Sequence, residues 1–127
     1  MRVSTLNIRH GGGNRVDAIV ASLARSAAHV LIVTEYRNNG SGSRLRQELT
    51  QLGYAHQTHT SPAPSINGLL VASMNPIREL PRVSIKAEHL HRLLAFQAED
   101  IYILATYFPQ KERKYPVFEA SMTWLLE

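Results

Sequence analysis

Three features of this 127-residue chain predict an α/β fold. An apolar strand, an amphipathic helix and a second apolar strand follow one another at its start, a strand–helix–strand unit with a parallel pair. The hydrophobic period then shifts from helical spacing to two. The apolar fraction of 44% and charged fraction of 19% are those of a globular protein, in a chain long enough for one cored domain.

Val3–Ile8 alternates as a strand, and Gly11-Gly12-Gly13 breaks it. Asn14 is the expected N-cap of a helix over residues 15–28, whose Val16, Ile19, Val20, Leu23 and Ala27 recur at helical spacing. Val30–Thr34 is a β-branched apolar run, the pattern of a strand buried on both faces. Asn38–Ser43 is a loop by composition, and Leu45, Leu49 and Leu52 mark a second helix stopped by Gly53. Strands are expected over Tyr54–Thr58, Gly68–Ser73, Val83–Ala87, Arg92–Ala98 and Ile101–Tyr107. Glu99-Asp100 is a hairpin turn between the last two, and Pro62, Pro64, Pro76 and Pro81 punctuate the connections. Pro116 to Glu127 has Phe118, Met122, Leu125 and Leu126 on one helical side and carries no C-cap signal. A chain that stops inside such a pattern is expected to be a fragment of a larger domain.

Composition narrows the chemistry. With no cysteine there is no disulfide framework, thiolate zinc site or cysteine nucleophile. No window reaches the apolar length of a membrane span, and no leader precedes Val3, so the expected location is cytoplasmic, with no membrane partner. The net charge of +4 lies entirely in residues 1–60, where seven arginines face Asp17, Glu35 and Glu48; residues 61–127 balance seven against seven. A basic half suits a polyanionic partner such as nucleic acid.

The strongest site signal is at the strand ends. Asn7, in Leu6-Asn7-Ile8-Arg9, and Glu35, in Val33-Thr34-Glu35-Tyr36-Arg37, close neighbouring strands, where open α/β sheets place ligand chemistry. A carboxamide and a carboxylate there begin a hard-metal site of oxygen ligands. Other signals are weaker. Gly11-Gly12-Gly13 fits neither nucleotide-binding glycine pattern. His56 with His59, and His89 with His91, have spacings met among metal ligands, although loop histidines are the commoner case.

Asn7-Ile8-Arg9 and Glu35-Tyr36-Arg37, each closing a strand, resemble the first two signatures of the endonuclease/exonuclease/phosphatase superfamily. Ile103-Leu104-Ala105-Thr106-Tyr107-Phe108-Pro109-Gln110 is similar to the Tyr-Phe-Pro-Gln segment of its exonuclease III branch, and Asn67-Gly68-Leu69-Leu70-Val71-Ala72-Ser73 to the strand between these signatures. The resemblance implies a deoxyribonuclease I-like α/β sandwich, two-layer or four-layer with its helices counted, with mixed sheets packed face to face. Residues 1–127 would be about its N-terminal half. It implies Mg²⁺ (or Mn²⁺) held by Glu35 with help from Asn7, catalytic roles for Tyr107 and Asn7, and phosphate binding by Arg37 and Asn67. The implied activity is phosphodiester hydrolysis of the endonuclease type, with nucleic acid the favoured substrate. A phosphatase acting on a lipid or small phosphoester, and a non-catalytic polyanion-binding module, are the alternatives. The family's Gly-Asp-x-Asn and Ser-Asp-His strings do not occur here, so the chain alone is expected to lack the general base and to be inactive. Half a sandwich would also leave a sheet face exposed, through which a homo-oligomer could form.

Overall fold

The computed structural model describes residues 1–82 and 85–108. Among these described residues seven strands form two sheets: β1 (Val3–Asn7), β2 (Val30–Tyr36), β3 (His56–His59), β4 (Gly68–Ser73), β5 (Ile77–Glu79), β6 (Leu93–Ala98) and β7 (Ile101–Thr106). The helices are α1 (Val16–Arg25) and α2 (Gly40–Gln51), with 3₁₀ turns over Gly13–Arg15 and Ala87–Arg92. The first sheet runs β1-β2-β4-β3 and is mixed: β1 and β2 are parallel, and the other pairs are antiparallel. The second runs β5-β6-β7 and is antiparallel throughout.

The β-branched and leucine-rich runs take the centre. Val30, Leu31, Val33 and all six residues of β4 are buried, because the first sheet is covered on both faces. Leu31, Val33, Leu70 and Ala72 pack under α1 and α2 with Ile19, Leu23, Leu45 and Leu49. Val30, Ile32, Leu69 and Val71 face the second sheet and meet Leu94, Phe96, Ala98 and Ala105. Thr58 donates to Glu79 at 3.3 Å and sets β3 over β5. Burial at about 25 cal/mol per Å² of apolar surface makes these two clusters the main source of stability. Tyr54 closes the helical cluster, its buried hydroxyl donating to Ala28 O at 2.7 Å.

The strand–helix–strand unit, the β4 boundaries and the Glu99-Asp100 turn are as expected, with Glu99 at φ 55°. Other expectations are corrected. Asn14 is not the N-cap of α1. It lies inside a 3₁₀ turn closed by Arg15 N–H to Gly12 O at 2.9 Å, and the residue flanking α1 is Arg15, with no side-chain cap. Residues 38–43 are not all loop. Asn39 accepts from Gly42 N–H at 2.9 Å and starts α2 at Gly40, so capping chemistry outweighs the polar composition. Gly42 is required there, since a Cβ would sit 2.0 Å from Arg37 O. β5 was not foreseen, being three residues between prolines. Of the strand expected over Val83–Ala87, Val83 and Ser84 lie outside the described residues, and Ala87 opens a 3₁₀ turn. The expected helix over Pro116–Glu127 lies outside them too, as do Pro109 and Gln110. No helix among the described residues is long and apolar enough to cross a membrane.

Candidate active site

Parallel pairing brings the C-terminal ends of β1 and β2 together, with Asn7 opposite Thr34. There the regular ladder stops. The β2–β4 register shifts between Thr34 and Tyr36, and Glu35 between them has φ 59°. Beyond β1, five successive residues take positive φ: Arg9 (54°), His10 (50°), Gly11 (81°), Gly12 (83°) and Gly13 (53°). The glycines tolerate this freely. For Arg9, His10 and Glu35 it costs about 1–3 kcal/mol each.

Four kinds of contact hold the strained loop. Asn7 Oδ1 accepts from Arg9 N–H at 2.9 Å. Ile8 N–H donates to Thr34 O at 3.1 Å, and Gly11 N–H to Glu35 O at 2.7 Å. The Arg15 guanidinium donates to Ile8 O at 2.8 Å and to Arg9 O at 3.0 Å. The Arg37 stem packs directly on Gly11, where a Cβ would meet its Cβ at 3.0 Å.

These contacts assemble a polar ring. Arg37 Nε donates to Asn67 Oδ1 at 2.7 Å, and Asn67 Nδ2 donates to Glu35 Oε1 at 3.2 Å. Arg37 Nη2 lies 3.3 Å from His10 Nδ1, which is 3.9 Å from Glu35 Oε1. Asn67 thus stands between the guanidinium and the carboxylate and orients both. Glu35 is 13% exposed and His10 73%. The structure therefore joins Glu35, Arg37 and Asn67 into one group, with Asn7 beside it as the anchor of the loop. His10 belongs to it as well, and Arg15 braces the neighbouring loop; neither was singled out from sequence. Their signal was position, flanking a glycine triplet directly after a strand end.

Tyr107 is at the same end of the sandwich but outside the ring. Leu69 pairs with Thr34, Thr60 Oγ1 contacts Leu69 N and donates to His91 O, and Tyr107 N–H donates to Arg92 O at 2.9 Å. The Tyr107 ring packs against the cluster between the sheets. The histidine pairs form no metal site: among the described residues no three His, Cys, Asp or Glu side chains cluster. His56 and His59 are an odd number apart on a strand and so face opposite ways. His59 lies beside Tyr36, ring centroids 5.3 Å apart and the planes tilted by 52°, and burial, then the Arg46 charge, pushes its pKa down. Burial, then Arg92 and His89, does the same to His91.

No described protein family and no curated protein matches the sequence. Solved structures match the fold. An AP endonuclease from Archaeoglobus fulgidus superposes with a TM-score of 0.72 at 19% identity, over 98% of this chain and 51% of that one. The fold is deoxyribonuclease I-like. An endonuclease/exonuclease/phosphatase from Beutenbergia cavernae follows the same path (TM-score 0.62, 18% identity, 99% of this chain, 43% of that one). So does ANGEL2, a 2′,3′-cyclic phosphatase (0.60, 18%, 88% and 36%). This chain spans about half the length of these structures or less. The deoxyribonuclease I-like architecture expected from the motifs is thus present, and the polar ring lies at the strand ends of its mixed sheet.

Proposed function

We propose that this chain is the metal- and phosphate-holding half of a divalent-cation-dependent phosphoester hydrolase acting on nucleic acid. The observation that carries the reading is the Glu35–Asn67–Arg37 ring, a carboxylate and a guanidinium held at fixed separation by one amide. The nuclease and phosphatase descriptions of the similar structures support the reaction class. The arginine-rich first half supports a nucleic-acid substrate.

The donor set fits a hard cation. Glu35 Oε1 takes the Asn67 amide, leaving Oε2 for a metal, and the exposed Asn7 adds an amide oxygen. Mg²⁺ is commonly held by one or two carboxylates, keeping its waters and taking substrate phosphate oxygens. When bound, the ion would polarise the phosphoryl oxygen and neutralise charge. Arg37 would bind the phosphate through N–H groups not used by Asn67, in the planar fork that phosphate matches. Asn67 would keep Arg37 from collapsing onto Glu35. Tyr107 would approach from the adjoining sheet, its hydroxyl donating to a phosphate oxygen or handling a proton.

Neither aspartate of the chain lies at the ring. Asp17 is on α1, ion-paired with Arg44, and Asp100 is in the β6–β7 turn. That gap supports a second reading, a module that binds polyanions without cleaving them. Calorimetry with Mg²⁺ and binding of a labelled duplex oligonucleotide test both readings. One Mg²⁺ site, lost in Glu35→Gln while the fold persists, is expected. Duplex binding with no Mg²⁺ site in the unaltered chain would favour the binding module.

A further inference from the structure

We propose that Ser61 is a positioning residue of this site, its hydroxyl holding Asn67 and Arg37 at the separation the ring needs. This rests on reading the Glu35–Asn67–Arg37 ring as a phosphoester site. Asn67 and Arg37 are 30 positions apart and meet in one 2.7 Å hydrogen bond. Both hang from backbone just outside the strands, since β2 ends at Tyr36 and β4 starts at Gly68. Ser61 reaches both stretches. Its Oγ accepts from Asn38 N–H at 3.1 Å and donates to Ile66 O at 2.7 Å, with Ala63 O at 2.9 Å sharing the proton. Asn38 N belongs to the peptide group that leaves Arg37, and Ile66 O to the one that enters Asn67. Tying both peptide groups to one oxygen fixes the Cα atoms from which the guanidinium and the amide project.

The surroundings give that oxygen its leverage. Ser61 is 5% exposed and sits on anchored backbone. Thr60 N–H donates to Leu69 O at 2.9 Å, and Thr60 Oγ1 accepts from Leu69 N–H at 2.8 Å. Gly68 lets the chains close: a Cβ there would stand 2.6 Å from Ser61 N. The loop that returns to Asn67 has no such anchorage. Pro62, Pro64, Ser65 and Ile66 are exposed, and the turn bond from Ile66 N–H to Ala63 O is internal to the loop. The Ser61 hydroxyl therefore draws position 66 back onto the sheet end. The other buried serine among the described residues, Ser73, lies at the far end of β4. It accepts from Asn75 N–H two residues away, a local turn contact, whereas Ser61 and Asn38 are 23 positions apart.

The test is ¹⁵N spectroscopy of the metal-free chain, alone and titrated with inorganic phosphate. In folded Ser61→Ala the Arg37 Nε–H signal should move and exchange with solvent about tenfold faster, as when one hydrogen bond is lost. Phosphate affinity should fall about tenfold in Ser61→Ala, to a similar extent in Asn67→Ala, and no further in the double variant, because both residues act on one array. Ser61→Cys keeps a weaker donor at similar volume and should show the same changes in smaller degree, which carries the test if Ser61→Ala does not fold. Ser73→Ala should leave both readouts unchanged. An Arg37 signal unmoved in the folded Ser61 variants, losses that add in the double variant, or equal displacement by Ser73→Ala would overturn the proposal. A parent chain that takes up no phosphate, with the Arg37 signal still displaced in Ser61→Ala, would overturn the phosphoester reading and support the Ser61 clamp, so the two fail separately.

Discussion

The two ends of β2 are built on opposite principles. From Val30 to Val33 every residue pairs in regular register with β1 and β4 and is buried between helices and the second sheet. Between Thr34 and Tyr36 the register slips and Glu35 turns into the left-handed region with polar surroundings, while Tyr36 returns to the helical cluster. The first end buries apolar surface; the second holds strained residues and unlike charges in a fixed array. One strand carries both because the regular half anchors the irregular half, so the strain at Glu35 is offset by packing two residues away. The same division appears in β1, where Leu6 packs against the helical cluster and Asn7 anchors the loop.

Substitutions at each end should separate stability from site geometry. The largest stability effect is expected from Leu31→Ala, which empties a fully buried site under α1 and α2. It should cost about 2–5 kcal/mol in urea unfolding, with the Arg37 Nε–H resonance in place where the chain remains folded. Gly11→Ala should do the reverse. A Cβ at φ 81° is strained and presses on the Arg37 stem. About 1–3 kcal/mol is expected, accompanied by displacement of that resonance. An unmoved signal would mean that the ring does not depend on the loop.

The smallest effect concerns pH. His59 and His91 both have pKa values lowered below the ordinary 6.5, by burial first in each case. The unfolded chain then binds protons more readily than the folded one. Their contribution to stability is complete above pH 6.5 and is lost as pH falls through 6.5 toward their folded values. His59→Gln should flatten that decline in thermal unfolding followed from pH 7.5 to 5; an equally steep decline would place its origin elsewhere.

Much of this was legible in the sequence, and the failures have physical causes. Gly68–Ser73 and Val30–Thr34 were readable because continuous apolar runs report burial on both faces. Residues 38–43 misled because the first turn of α2 carries no apolar periodicity, although Asn39 three residues before Gly42 was a cap signal. Asn7 and Glu35 were singled out because strand ends are marked by local pattern, and Arg37 and Asn67 through the resemblance. His10 was not, since its place depends on a left-handed loop folding back onto Arg37, a contact across 27 positions. The bridging geometry of Asn67 was equally invisible, reaching Arg37 across 30 positions and Glu35 across 32.

The central claim is that the irregular end of β2 holds a divalent cation on Glu35. Paramagnetic broadening by Mn²⁺, followed residue by residue in the ¹⁵N spectrum, tests it most directly. Broadening centred on Asn7, Glu35 and Asn67, relieved by excess Mg²⁺ and absent in folded Glu35→Gln, is the expected result. Broadening centred elsewhere, or persisting unchanged in Glu35→Gln, would contradict it.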